Sequence, residues 1–595
     1  MLNRMRNRTT VCLDPPTQPR QLAGLLSPSI RSARGFTWAV IQAYWTRVTE
    51  GRVRGACEPK QFGIPVDDLR CPRGFQSQVH DLAAELAALE SIDASFEIGR
   101  LFTSLLPTDY RSQHGIYFTP PALTTRLLDL SESVGIRWRD AHVLDPACGG
   151  GAFLAPVIAR KCLAMRGRPA TEVFDMLART VRGFELDSFS AWLAQVFADI
   201  AALDVCVKVG RRLPRIVEVR DTLLPLPAEF STFGLVIGNP PYSKVKLEAD
   251  QREYYSRSLY GHSNLYGLFT DQALRLCADD GVIAFVTPTS FLGGEYFKNL
   301  RALLRTDAHP LNVEFISDRD GVFEEVLQET LLATYRKSKP NGSVTVGLLG
   351  TDGHRVTARR NLGRFALPAQ REEPWLLPRS PSQALLMRQA SRLPYRLKDY
   401  GYAVSTGPLV WNRHKNQLVH ACDKDTYPLI WAESVTADGR FEFKAERKNH
   451  APYFRAKKPR DNWLLVTTPC ALLQRTTAKE QPRRLILAIL PNQFLEKHGA
   501  LVIENHLNML RSVVEKPSFS IEVITTILNS KFADEMFRCI NGSVAVSAYE
   551  LEALPLPAPD CLRQVARLLE RNVRREAIER AIEKGYLNAN DAAVA

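Results

Sequence analysis

The chain has 595 residues, 45% of them hydrophobic and 24% charged, which excludes a disordered or fibrous protein and predicts two to four domains at about 100–200 residues each. Lys and Arg (77) outnumber Asp and Glu (64), and a net charge of +13 favours a polyanionic partner through counterion release. No run approaches the roughly 18 apolar residues of a membrane helix, and the 11 cysteines form no CxxC pair or zinc spacing; no membrane, no metal and a reducing cytoplasm are expected.

In chain order, Met1–Arg34 is rich in Arg and Ser and reads as a basic arm. From Gln76 to Leu106 the apolar residues Val79, Leu82, Leu86 and Leu89 recur at helical spacing until Pro107 interrupts them. Residues 1–95 are therefore expected to form an arm and a helical lead-in, followed by a catalytic domain over 96–340. Within it, apolar runs alternate with amphipathic stretches, as in an open, doubly wound α/β sheet. The predicted strands are Ala141–Asp145, Val181–Glu185, Arg215–Val219, Leu235–Gly238, Val282–Thr287 and Val313–Ile316. In such sheets ligands bind beyond the carboxyl ends of strands. A Lys-Pro-Asn-Gly turn and an Arg- and Pro-rich stretch predict a linker over 341–385. A mixed α+β domain over 386–560 and a C-terminal helix and tail over 561–595 complete the expected organisation.

The run Val143-Leu144-Asp145-Pro146-Ala147-Cys148-Gly149-Gly150-Gly151-Ala152-Phe153-Leu154 reads as a buried strand, an acid at its tip, a glycine turn and a helix start. A dinucleotide fingerprint would place a third glycine at Leu154, which this run lacks. The acid suits a cationic amino group. Glu185, at the end of the second strand, can accept hydrogen bonds from two ribose hydroxyls, and Asp221, after the third, from an adenine amino group. Three acids at successive strand ends point to a nucleoside cofactor rather than to three unrelated turns.

The strand Phe233–Gly238 runs into Asn239-Pro240-Pro241-Tyr242. The prolines stiffen the loop. A ring-conjugated amino nitrogen is a poor nucleophile because its lone pair is delocalised, so it needs acceptors more than a strong base. The Asn239 side-chain oxygen and the Pro240 carbonyl can take its two hydrogens as it attacks a sulfonium methyl group. The Tyr242 ring offers a face on which a planar base can stack, and such stacking offsets the cost of extruding a base from a duplex.

In this order the motifs resemble the gamma-class amino-group (adenine N6) DNA methyltransferases of restriction–modification type. The resemblance covers roughly residues 97–337, and more loosely the C-terminal half. It implies a Rossmann-like methyltransferase sheet, S-adenosylmethionine as cofactor, and a following target-recognition domain that binds double-stranded DNA; a separate cognate restriction endonuclease remains open as a partner. His114-Gly115-Ile116-Tyr117-Phe118-Thr119-Pro120-Pro121 is similar to the family's opening motif, which assigns Thr119 and Pro120 to the methionine part of the cofactor. The resemblance likewise implies cofactor contacts for Asp145, Ala147, Gly149, Gly151, Glu185, Asp221 and Phe269, the last beside the adenine. The family commonly has serine where this chain has Gly150. Asn239, Pro240, Pro241 and Tyr242 would hold the target base, with Phe323 as a second stacking ring. Lys415, Lys448, Arg475, Arg483 and Arg484 are candidate phosphate contacts.

Rival readings are an RNA adenine methyltransferase, a protein glutamine methyltransferase working on a similarly weak amide nitrogen, and a non-catalytic, cofactor-dependent DNA-recognition component. The long basic C-terminal half argues against the glutamine enzyme, and the intact Asn-Pro-Pro-Tyr run against the non-catalytic one.

Overall fold

The computed structural model describes residues 29–587, apart from 54–55, 66–68, 115–117, 226–231, 317–328, 339–341, 353–354, 391–392, 444–449, 477–482 and 541–544. The expected arm up to residue 28, Phe323 and Lys448 lie outside the described residues.

A nine-stranded sheet organises the chain. Its strands are β1 (Val143–Asp145), β2 (Val181–Glu185), β3 (Val217–Val219), β4 (Phe233–Gly238), β7 (Cys277–Pro288), β8 (His309–Ile316), β9 (Thr330–Arg336), β10 (Ser343–Thr351) and β11 (Val356–Ala366), in the order β11-β10-β8-β9-β7-β4-β1-β2-β3. β1, β2, β3, β4 and β7 run parallel, and β9 is antiparallel between β7 and β8. A two-stranded ribbon, β5 (Lys244–Val245) with β6 (Ser263–Asn264), stands outside the sheet.

Successive side chains of a strand face opposite sides, and here they enter two different cores. Val143, Leu235, Ile237, Val282, Ala284 and Val286 pack with the N-terminal helices. Leu144, Val236, Ile283 and Phe285 pack on the other side, with the helices that follow β6 and those near the C-terminus. Burial on both faces explains why these strands read as unbroken apolar runs. Chain order reverses at β1, which lies between β2 and β4, so the sheet's switch point falls beside the glycine loop.

The domain boundaries expected from sequence need correction. Residues 341–385 are not a linker: β10 pairs parallel to β8 and antiparallel to β11, extending the catalytic sheet, and the helix Pro381–Ala390 buries Ala384, Leu386 and Met387 in the second core. Charged residues along β11 face solvent and hide its strand character from a sequence reading. Residues 1–95 are not simply an arm and lead-in. The helix Ile30–Thr49, N-capped by Ser29, buries Phe36, Val40, Ile41, Tyr44 and Trp45 in the first core, and the helix Ser91–Leu105 crosses the expected boundary. At the other end, Pro559–Glu570 and Arg575–Leu587 form two helices whose Leu562, Val565, Ile582 and Tyr586 join the second core.

The C-terminal half carries two smaller sheets. One combines β12 (Tyr402–Thr406), β17 (Ala471–Gln474), β18 (Leu487–Ile489) and β20 (Leu507–Ser512) in the order β12-β20-β17-β18. The other combines β13 (Leu418–Val419), β14 (Thr426–Ile430), β15 (Tyr453–Arg455), β16 (Leu465–Val466) and β19 (Leu501–Ile503) in the order β13-β15-β14-β19-β16. Leu473, Leu487 and Leu510 of the first sheet reach the core under β7–β11, so the two halves share apolar packing.

Arg301 locks this junction. Its fully buried guanidinium donates to the carbonyls of Phe291, Gly294, Glu372 and Glu373 and to the Tyr549 hydroxyl at 2.8–3.1 Å. Arg301→Ala removes all of these bonds at about 0.5–1.5 kcal/mol each, although the Gly294 carbonyl keeps the Phe297 amide and the Glu372 carbonyl keeps the Tyr549 hydroxyl. Urea unfolding should therefore show a loss of about 3 kcal/mol or more.

Candidate active site

The carboxyl ends of β1 to β4 converge on a cavity of about 400 Å³. It is lined by Thr119, Asp145, Ala147, Gly149, Glu185, Asp221, Asn239, Pro241 and Phe269, among others. These residues come from positions more than a hundred apart in sequence, and the parallel order of the sheet brings them together.

Asp145 is 1% exposed at the tip of β1, and Oδ1 accepts the Ala147 amide at 3.2 Å. Burial, with Glu185 nearby, holds its carboxyl well above the usual range. Among the described residues no cationic side chain forms a salt bridge with it. A Cβ on Gly238 would lie 2.7 Å from Asp145 Oδ1, so the neighbouring strand end must be glycine for the carboxylate to sit there.

The glycine turn is shaped by backbone. Gly149 (φ +50°) donates its amide to Glu185 Oε2 at 2.9 Å. Gly151 (φ +87°) approaches the Ser188–Ala201 helix so closely that a Cβ would meet Ala194 Cα at 2.9 Å. At Gly150 a Cβ would fall 2.9 Å from the Phe118 ring and 3.1 Å from Leu193. Phe118 thus takes the space that the family's serine would need. Glu185 Oε1 accepts the Asp187 amide at 2.9 Å, and burial raises its pKa. Asp221 Oδ1 accepts the Leu223 amide at 2.9 Å.

Asn239 and Tyr242 are half-buried where β4 ends, and Pro240 is buried. Asn239 Nδ2 donates to Thr119 Oγ1 at 3.0 Å, joining the opening motif to the Asn-Pro-Pro-Tyr run. The Tyr242 hydroxyl donates to Asn239 Oδ1 at 2.5 Å, and its ring meets Tyr266 edge-on with centroids 6.2 Å apart. The acceptor oxygen expected to be open is therefore engaged by the neighbouring tyrosine.

Four of the expected site residues lie outside the cavity wall. Pro120 is buried at the start of the Pro121–Ser133 helix and Gly151 faces Ala194, while Pro240 and Tyr242 sit behind Asn239. Sequence reasoning missed Phe102 and Thr103 from the Ser91–Leu105 helix, Leu186, Leu223, Val245, Leu247 and Leu265. Leu186, directly after Glu185 and 69% exposed, was the findable one: an apolar residue left in solvent at a strand end.

The candidate phosphate contacts divide. Lys415 is exposed, with Nζ 5.7 Å from the Trp411 ring centroid. Arg475 and Arg483 are half-buried and donate to the carbonyls of Asn505 (2.7 Å) and Asn529 (2.9 Å). Arg484 is 9% exposed and its amide is held by Asp534 Oδ1, so packing withdraws it from any phosphate.

A family model described as the Eco57I restriction-modification methylase matches residues 191–323. The Type II methyltransferase M.BsuBI of Bacillus subtilis is 25% identical over 510 residues, covering 82% of this chain and 95% of that protein. The chain is thus similar to a restriction–modification methylase domain over part of its length and to a Type II methyltransferase over most of it. The Type II methyltransferase M.PstI of Providencia stuartii is 25% identical over 349 residues, covering 56% of this chain and 67% of that protein. In fold, the chain resembles the ATP-dependent Type ISP restriction-modification enzyme LlaBIII bound to DNA, with a TM-score of 0.50 and 10% identity over 93% of this chain and 47% of that one.

The cofactor that the sequence motifs imply is S-adenosylmethionine. Its ammonium group is the cation that the buried Asp145 lacks, and Glu185 offers two carboxylate oxygens at the cavity wall, so the residues present fit it. Because the folded pKa of Asp145 is raised, its charge opposes folding increasingly as pH rises from the unfolded value, about 3.9, through the folded one. Asp145→Asn should thus raise the melting temperature of the cofactor-free protein at neutral pH while abolishing cofactor binding by calorimetry. Wild-type affinity should fall on acidification through the raised Asp145 pKa.

Proposed function

We propose that the protein is a site-specific DNA methyltransferase that modifies the N6 amino group of an adenine extruded from double-stranded DNA. The observation that carries this reading is that Asn239 and Pro241 line the same cavity as Asp145, Glu185 and Asp221, with Asn239 fixed by Thr119. When bound, S-adenosylmethionine supplies an electrophilic methyl group on a sulfonium centre.

The chain's own residues do the rest. Asp145, Ala147, Gly149 and Thr119 face the methionine end, Glu185 the ribose, and Asp221 and Phe269 the adenine. Asn239 Oδ1 and the Pro240 carbonyl accept the two hydrogens of the target amino group and draw its nitrogen towards tetrahedral geometry. No strong base is required, because the amino group loses its proton after attack. The hydroxyl of Tyr242 leaves Asn239 Oδ1 as the target arrives, and its ring then covers the base; Phe323 is the proposed second ring. The setting is the prokaryotic cytoplasm, with a separate restriction endonuclease as the proposed counterpart.

The test incubates methyl-labelled S-adenosylmethionine with unmethylated genomic DNA and maps modified bases by single-molecule sequencing. N6-methyladenine at one recurring sequence is expected. Label in cytosine, RNA or protein alone would overturn the reading. Asn239→Ala should lower the rate roughly a hundred- to thousandfold with cofactor binding retained. Tyr242→Phe keeps the ring and removes the competing hydroxyl, so the KM for DNA should stay level or fall. Tyr242→Ala should cost about ten- to a hundredfold in kcat/KM.

A further inference from the structure

Two loops of the C-terminal half form one rigid surface. The first, residues 411–417, carries Trp411, Arg413 and Lys415; the second, residues 457–463, carries Lys457, Lys458, Arg460 and Trp463. Gln417 Nε2 donates to Asp461 Oδ2 at 2.6 Å and to the Arg455 carbonyl at 3.0 Å, and the Asp461 carboxylate also accepts the Lys457 amide at 2.8 Å. Asp461 is 2% exposed, so the joint between the loops is buried while their outer residues are not. His414 Nδ1 lies 3.0 Å from Gln417 Oε1 and steadies the amide from its other side.

Arg413, Lys415, Lys457, Lys458 and Arg460 are all exposed on this surface. The acids beside them are few. Asp423 is paired with Arg455, and Asp425 faces Lys458, leaving the surface in positive excess. Trp463 is 64% exposed and Trp411 38%. Trp463 follows the clamped Asp461 by two residues, and its large apolar face stays in water on the loop that also carries Lys457, Lys458 and Arg460. Phosphates for the cations and a base or sugar face for the ring satisfy both features together.

We propose that these stapled loops are a duplex-DNA docking surface in which Arg413, Lys415, Lys457, Lys458 and Arg460 contact phosphates and Trp463 packs against a base or sugar. The assignment rests on the proposed action on DNA. It places phosphate contacts on exposed loops, away from the half-buried Arg475 and Arg483 and the buried Arg484.

Fluorescence anisotropy with the full chain and a short fluorescein-labelled duplex of mixed sequence, titrated at several NaCl concentrations, tests the surface. The triple variant K457A/K458A/R460A should flatten the dependence of log K on log salt by about 0.9 for each phosphate it no longer neutralises, with S-adenosylmethionine affinity unchanged. Trp463→Ala should lose about tenfold in affinity while keeping the wild-type salt slope. A wild-type slope in the triple variant overturns the phosphate assignment, and wild-type affinity in Trp463→Ala overturns the stacking role. Failure of the DNA reading itself looks different: the unsubstituted protein would then bind no duplex at any salt concentration.

Discussion

The burial of one carboxylate organises the catalytic half. Asp145 ends β1, the strand at the sheet's switch point, with almost no solvent contact and no salt-bridge partner among the described residues. Holding a charge there is costly, and the surroundings reduce that cost only in part, through the Ala147 amide. The neighbouring strand must end in glycine to leave room for it. The proposed cofactor's ammonium group would supply the cation that this buried carboxylate lacks.

From that point the catalytic loop follows by adjacency. β4 pairs with β1, so the residues after Gly238 must emerge beside Asp145. Thr119 then links the two motifs through Asn239. The same asparagine has its acceptor oxygen covered by the Tyr242 hydroxyl, so the ring proposed to stack on the target also holds its proposed hydrogen-bond acceptor. In that proposal, base entry and exposure of the acceptor are coupled in one side chain.

The two halves of the chain are not beads on a string. Arg301 and the apolar residues around Leu473, Leu510 and Leu562 bind the C-terminal helices and first small sheet to the far side of the catalytic sheet. The second small sheet has a separate core around Trp431, Phe454 and Leu464, and from it the loops bearing Lys415 and Trp463 project. The shared core and the stapled basic loop pair are thus separate features, and the proposed action on DNA would use both, one to hold the pocket and one to hold the polyanion.

The sequence alone determined the parts whose signal is local. The six predicted strands all appear, because an apolar run ending in Asp, Glu or Asn-Pro-Pro-Tyr has few other ways to fold, and their end residues Asp145, Glu185, Asp221 and Asn239 meet at one cavity. The glycine turn was equally legible, since positive φ at Gly149 and Gly151 is a demand on single residues. What only the tertiary structure decided depends on distant partners. The membership of β10 and β11 in the sheet, the docking of the Ile30–Thr49 helix, the burial of Arg484 against Asp534, and the Gln417–Asp461 joint all pair residues whose neighbours in sequence do not announce them. Charge in a sequence marks what a residue can do, but whether that charge faces solvent is set by packing across the whole chain.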